Sequence, residues 1–492
     1  MGTINKSLRA HAEKSFVWFK NTEKPYPAEW MVLCGFILLI AVSYTYNDMV
    51  ATTRHGIMLW DALFQGKILD FYDITYAVQP GNSIFVTGQM ASYEFTVYVL
   101  FGLWDFPLWA VEKLFHISAT ENIFCLIWSK MELLLFVALA AAVLRRIAQQ
   151  LKMSRGTQQW LVFAWLSSVL LGSSTLLMSQ YDIFSLFFML CGFLAFLRKE
   201  PVKFVLFFSV AISCKYFALL VFIPLLLLRC KKVLSIVING CLAFSVSLFW
   251  KAIFLLGRVG AGGASADRVG TGGLGAANTL LPTFFTWLTD TGLYPASVFL
   301  ISMLAICIWC YAQQEETAPD ERKAIFAAAT ATLAFAVESP LHPYWIVIVT
   351  PFVMLLVFSN ANRFKLNLLL EMTFSVSVLV QQWVRFDWCF ANRVVMPMVF
   401  GKMLGLAPDE WTGIAHWVTI LNDSGVPVLQ IAASLMLCCA GALLIFNVPA
   451  KQTLASGADI KVERSVMWVR FAAFAGTALL PIVYYCRYML LR

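Results

Sequence analysis

"KFVLFFSVAISCKYFALLVFIPLLLLRCKK", residues 203–232, is apolar throughout except for basic residues at its two ends and Lys215 near its middle. Basic residues gather on the cytoplasmic side of membrane helices, so both ends read as cytoplasmic. One crossing cannot begin and finish on the same side. The stretch therefore reads as a hairpin of two short helices of about 12–14 residues, each reaching only about 20 Å. That leaves the tip, with Lys215, inside a hydrocarbon layer about 30 Å thick. An ammonium group there costs at least about 2.5–3.5 kcal/mol unless water or a partner meets it. The hairpin implies a cavity open to the far side.

The rest of the chain has the same character. Its 492 residues are 60% hydrophobic and 13% charged, with a mean hydropathy of +0.76. A soluble domain would be about half apolar and about a quarter charged. Apolar runs of about 20 residues recur from end to end, which makes this an all-α polytopic membrane protein. The net charge of +8 lies in short loops between the runs and so reads as cytoplasmic anchoring, with no nucleic-acid partner implied. The first 28 residues are polar and basic, without the short apolar core of a cleavable signal peptide. Most of the 12 cysteines (Cys34, Cys191, Cys307, Cys438 and Cys439 among them) sit inside apolar segments without zinc-type spacing, as packing residues do.

Lys6, Arg9, Lys14, Lys20 and Lys24 place the N-terminal segment 1–28 in the cytoplasm, so the first span, ~29–46, delivers Asp48 to the outside. The next cytoplasmic loop carries Arg145, Arg146, Lys152 and Arg155, and the span leading to it is 122–143. Residues 47–121 then form one large external segment, with 93–115 lying in the interface on its tryptophans and Pro107. Continued alternation gives about thirteen crossings with the hairpin counted as two. The chain divides into a catalytic-type membrane module at 29–256, a Gly-rich external loop at 257–291 and a C-terminal membrane module at 292–492.

Polar residues that anchoring does not explain converge on the outer face. Asp48, Arg54, His55, Asp61, Asp70 and Asp73 come from the first external segment. Gln180 and Asp182 come from "MSQYD", Lys215 from the hairpin tip, and His342 with Tyr344 from "PLHPYW". An acid beside a substrate hydroxyl acts as general base, worth ~10²–10⁴ in rate. A cation at membrane depth holds a lipid-borne phosphate and steadies the charge developing on it. Each candidate also has a plain structural reading: Asp48 and Asp182 as helix-end acids, Arg54 and His55 as the polar face of an interfacial helix, His342 as a loop residue between prolines. Glu132 reads as a partner of Lys130 or of a neighbouring helix, and Lys113 and Glu371 as structural. "GRVGAGGASADRVGTGGLGAAN", residues 257–278, lacks phosphate-loop spacing and reads as a flexible external loop able to gate a substrate. Lys215 has no inexpensive structural explanation.

In their order along residues 29–358, these elements resemble the GT-C superfamily of membrane glycosyltransferases. An acid follows the first span and precedes "RHGIMLWDALFQGKILDFYD", similar to that family's amphipathic helix. "YEFTVYVLFGLW" resembles its interfacial helix, "LMSQYDIFSLFFMLCGFLAFLRK" its Gly-Gln-x-Asp turn, "SCKYFALLVFIPLLLL" its short-helix lysine segment and "HPYWIVIVTPFVMLL" its later His-x-Tyr element. The chain departs from the pattern at Ser179, where the family has glycine, and at "YEFT", which lacks a proline pair. The resemblance implies a polyprenyl-phosphate-sugar donor and a glycan, lipid or protein acceptor. It puts the base on Asp48, with Asp61 as rival. It puts the donor phosphate on Lys215, Arg54 and His55, and substrate contacts on Gln180, Asp182, His342 and Tyr344. No cofactor is implied beyond a divalent metal in some relatives, for which no ligand cluster stands out. A bacterial plasma membrane is the expected setting. The competing classes are a flippase or transporter of lipid-linked sugars and another membrane transferase, such as an O-antigen-type ligase. The chain shows no internal repeat of the transporter kind.

Overall fold

A computed structural model describes residues 23–77, 91–261, 285, 288–289, 294–313, 321–339, 342–386, 396–397, 418, 420–449, 460 and 462–490. The helices are α1 Pro27–Ser43, α2 Asn47–Phe64, α3 Phe71–Ala77, α4 Phe95–Phe115, α5 Ile123–Gln150, α6 Arg155–Leu166, α7 Asp182–Leu197, α8 Pro201–Cys214 and α9 Leu219–Arg229. They continue with α10 Val233–Leu242, α11 Ser245–Ala261, α12 Val298–Ala312, α13 Glu321–Glu338, α14 Thr350–Phe358, α15 Phe364–Arg385, α16 Val428–Asn447 and α17 Arg464–Leu490. Two small antiparallel pairs join them: β1 Tyr44–Thr45 with β4 Met396–Pro397, and β2 Leu288–Thr289 with β3 Ala296–Ser297.

The architecture is helical and apolar, but the expectation of thirteen crossings is not supported. Among the described residues, three helices are long and apolar enough to cross a membrane: α5, the run Ala361–Arg385 and α16. The number reaches five if two bent pairs each count as one span, Arg155–Leu166 with Val169–Leu177 and α10 with Ser245–Leu255, bent by 44° and 51°. The physical reason is where the chain breaks. Hydropathy registers how apolar a run is, not where its helix stops. Several runs taken as crossings are helices of 10–17 residues, α1, α7, α8 and α12 among them. At 1.5 Å per residue even 17 residues make about 26 Å, less than the hydrocarbon thickness.

The break in the opening stretch falls at Lys215. α8 starts with Pro201 at its first turn, where a missing N–H costs nothing. It ends at Cys214, and Lys215 is extended, φ −158° and ψ 124°, before a 3-10 turn Tyr216–Ala218 and α9. A second break precedes Gln180. There a π-helical segment, Gly172–Leu177, is followed by Ser179 in the left-handed region at φ 54°. Ser179 stands where the resembled family has glycine, and the backbone conformation is the one glycine adopts freely. Serine accepts it at a cost of about 1 kcal/mol or more.

The main core joins α1 and α5–α9 to α13–α17, with Trp160, Trp165, Phe193, Phe208 and Phe352 buried. A smaller core of Met58, Leu59, Phe71, Tyr72, Phe95, Tyr98 and Phe254 binds α2, α3 and α4 to α11, so the segment after α1 is a packed helical unit. α11 continues to Ala261, into the stretch expected to be a Gly-rich loop, while residues 262–284 lie outside the described residues. The pairing of β1 with β4 brings residues 396–397 beside Tyr44 and Thr45, immediately ahead of Asp48.

Candidate functional site

α1 ends at Ser43, the chain runs extended through β1 to Tyr46, and α2 begins at Asn47 with Asp48 in its first turn. An acid there is favoured by the helix dipole. At 100° per residue, His55 falls about 20° from Asp48 around α2, while Arg54 and Asp61 fall about 120–140° away. The contacts follow that division. Arg54 pairs with Glu112 at 2.6 Å. Asp61 pairs with Lys113 at 2.8 Å and accepts the indole N–H of Trp109 at 2.9 Å. These are links between α2 and α4 on the face turned away from Asp48. His55 is buried edge-on against Tyr98, with ring centroids 5.4 Å apart. Asp70 closes a 3-10 turn at Ile68–Asp70, and Asp73 lies in the first turn of α3.

Asp48 meets the second half of the site through Gln180, whose Nε2 donates to Asp48 Oδ2 at 3.1 Å. The next two residues receive Lys215. Its Nζ donates to Tyr181 Oη at 3.2 Å and forms an ion pair with Asp182, 3.0 Å from Oδ1. The ammonium also sits 4.9 Å from the Tyr181 ring centroid and 5.2 Å from that of Tyr93. Such cation–π contacts are worth about 0.5–2 kcal/mol each, and together with Asp182 they supply the partners that a mostly buried ammonium requires. Burial pushes the Tyr93 phenol well above its usual range, Asp48 adds to the rise, and a hydrogen bond with Tyr181 opposes it. Tyr93 is therefore a neutral phenol beside the acid.

His342 and Tyr344 are stacked, 5.4 Å apart at 15°, and Tyr344 lies 6.2 Å from the ring of Tyr46, two residues before Asp48. Burial, then the nearby charges of Lys215 and Arg385, lower the His342 imidazole to about 4. It is neutral across the ordinary working range.

The structure thus gathers Asp48, Gln180, Asp182 and Lys215, with His342 in the field of Lys215, and it engages Arg54 and Asp61 elsewhere. Sequence reasoning missed Tyr93, Glu94, Tyr181, Tyr216 and Lys251. Glu94, buried ahead of α4, accepts the Tyr216 hydroxyl and pairs with Lys251 at 3.1 Å, and Lys251 also donates to Tyr216 Oη at 3.1 Å. The available signal was adjacency. Tyr93–Glu94 faces Lys215–Tyr216 residue for residue, but nothing in one chain announces that register. The expected Glu132–Lys130 pairing is replaced by a hydrogen bond from Lys130 to the Tyr44 carbonyl. Among the described residues no three or more His, Cys, Asp or Glu side chains are grouped to hold a metal ion. No family model matches the chain, and no curated protein and no solved structure matches it.

Proposed function

We propose that the chain is a membrane glycosyltransferase of the GT-C kind, moving a sugar from a polyprenyl-phosphate donor to a hydroxyl of an acceptor on the external face. The observation that carries the reading is that Asp48 and Lys215, distant in sequence and each partly buried, belong to one polar cluster bridged by the buried Gln180, Tyr181 and Asp182. An acid and a cation held together among apolar helices are what such a transfer requires. Asp48 takes the proton of the acceptor hydroxyl as its oxygen bonds to the anomeric carbon. The bond from that carbon to the phosphate oxygen breaks, the configuration inverts, and polyprenyl phosphate leaves with its negative charge beside Lys215. Gln180 steadies the carboxylate. In this reading the chain lies in a bacterial plasma membrane with its N-terminal segment cytoplasmic. The short helices combine in bent or paired form towards the thirteen crossings that the charge alternation implies.

The test is transfer from a panel of polyprenyl-phosphate sugars by purified protein in nanodiscs with host lipid extract. Asp48→Asn should lower transfer by ~10² or more with folding intact, and Lys215→Ala should abolish polyprenyl-phosphate release. Movement of lipid-linked sugar across a liposome bilayer without a new glycosidic bond would replace this reading with a flippase.

A further inference from the structure

The polar cluster has a second station that the transfer step does not use. Glu94, Tyr216 and Lys251 form a closed triangle, with Glu94 Oε1 taking both the Tyr216 hydroxyl and Lys251. Lys251 also lies 5.8 Å from the Tyr216 ring centroid. The triangle adjoins the Lys215 station through two peptide bonds, Tyr93–Glu94 and Lys215–Tyr216. Glu94 is only 4% exposed, yet its other oxygen, Oε2, is buried without a hydrogen-bond partner among the described residues. The imbalance extends to the neighbouring station, where Ser179 Oγ, Gln180 Oε1 and Asp182 Oδ2 are likewise buried without a hydrogen-bond partner among the described residues, Asp182 Oδ1 being taken by Lys215. Buried polar atoms in native proteins nearly always find partners, so a group of unsatisfied oxygens on one side of a site points to a ligand or ordered water that brings donors.

The kind of donor follows from charge and chemistry. Glu94 and Lys251 cancel, so this corner has no net pull on an anion, and a phosphate or uronate placed against Glu94 Oε2 meets a bare carboxylate. A phosphodiester has no O–H to offer. A ring carrying several hydroxyls offers one donor at each, and its oxygens can accept from Lys251 and Tyr216. Carboxylates accept hydroxyl protons strongly, because the hydrogen bond is charge-assisted.

We propose that Glu94, with Tyr216 and Lys251, is the subsite that reads the hydroxyl groups of a neutral sugar. It fixes the ring beside the Lys215 station, where the phosphate carrying that sugar rests. This proposal rests on the donor reading given above and specifies its substrate: an uncharged, hydroxyl-rich pyranose or furanose rather than a uronic acid or a phosphosugar. Glu94 is here a binding residue; the proton of the reaction goes to Asp48.

The test separates the two readings by measuring binding apart from turnover. Asp48→Asn protein in nanodiscs is titrated with a short-chain prenyl phosphate, bare or carrying a neutral hexose or a hexuronic acid. The same titrations are made with Glu94→Gln and Lys251→Met added singly. Thermal midpoints confirm that each variant folds, and Glu94→Gln keeps the shape of the side chain. The hexose lipid should bind at least ~10-fold tighter than the bare lipid and the uronate lipid, consistent with a charge-assisted hydrogen bond worth roughly 1.5–3 kcal/mol. Glu94→Gln should erase that gain while leaving the bare lipid unchanged. Equal binding of the bare and hexose lipids, with transfer still lost in Asp48→Asn, overturns the sugar subsite and leaves the transferase standing; the orphaned oxygens then face water only. Weakening of the bare lipid by Lys251→Met as much as of the hexose lipid makes this corner a phosphate site and also overturns the proposal. If no prenyl phosphate binds at all, both readings fall.

Discussion

Asp105 is buried between α4 and α5, where Ser129 Oγ lies 2.9 Å from its Oδ2. Ser129 Oγ is in turn 2.6 Å from Thr53 Oγ1, which lies 2.9 Å from the Met49 carbonyl. Ser129 donates to the Asp105 carboxyl, whose other oxygen, Oδ1, is buried without a hydrogen-bond partner among the described residues. Burial pushes the Asp105 carboxyl up to about 8, against the opposing pull of the hydrogen bond that Ser129 donates. The folded state therefore holds a proton that the unfolded chain has lost above about pH 4. Stability from this group is full below about pH 4 and falls as pH rises towards 8, by up to ~1.4 kcal/mol per unit. Asp105→Asn cannot ionise, so its thermal midpoint relative to the wild type should climb between pH 5 and 8. A difference that stays flat with pH would mean an ionised Asp105. In the sequence Asp105 is one more charge in an interfacial-looking helix, because nothing local reveals Ser129 and Thr53 around it. Lys215 was legible for the opposite reason: it is the one charge inside an apolar run bounded by basic residues at both ends, a pattern that marks a break without knowledge of any other helix.

Pairs of helices set the distance between the two halves of the site. α2, which carries Asp48, and α4, which follows Glu94, approach most closely at Gly56. A β-carbon there would lie 3.0 Å from the Phe101 carbonyl carbon and 3.2 Å from the Gly102 nitrogen, both backbone atoms that cannot turn aside. Small residues at such a crossing allow two helix backbones to touch. Gly56→Ala is expected to lower the thermal midpoint, and Gly56→Leu to cost at least the ~1–3 kcal/mol of an overpacked core. Under the proposed function, sugar transfer should fall in step as α4 is displaced from Asp48. Gly240 in α10 is the control, since a β-carbon there meets nothing within 4 Å. Gly240→Ala should stabilise by up to ~1 kcal/mol through helix propensity alone. An equal effect at both positions would mean that the crossing tolerates a side chain. The glycine was visible inside an amphipathic helix pattern, but its partner was not, because contact partners from another helix leave no periodic trace. The same limit explains the crossings: composition reports apolar length, and while flanking charges marked the break at Lys215, the π segment before Gln180 has no such marker.

At the scale of the molecule, the chain closes on itself through charges buried in its last helix. Arg464 at the start of α17 pairs with Glu29 of α1 at 2.9 Å and covers the Tyr26 ring at 3.8 Å. Arg470 grips Glu371 of α15 with both terminal nitrogens, one at 3.1 Å, and its Nε donates to the Ala164 carbonyl of α6 at 2.9 Å. The expectation that Glu371 is structural fits these contacts, while Arg470, which holds it, lies in the part of the chain where no resemblance helped. A pair this deeply buried is an expensive lock. Its two desolvation costs nearly cancel its attraction, so replacing both partners by apolar residues is close to neutral, whereas removing one strands the other charge at about 3–5 kcal/mol. Arg470→Met and Glu371→Leu should each lower the thermal midpoint sharply in detergent, and the double variant should recover most of the loss. Recovery should stop up to about 1 kcal/mol short, because the Ala164 carbonyl loses the Arg470 donor and keeps only the Ser167 hydroxyl at 3.3 Å. If the double variant is as unstable as the worse single one, α17 depends on Arg470 for shape rather than charge, and the closure of the fold rests on packing around Phe474 and Gly172 instead.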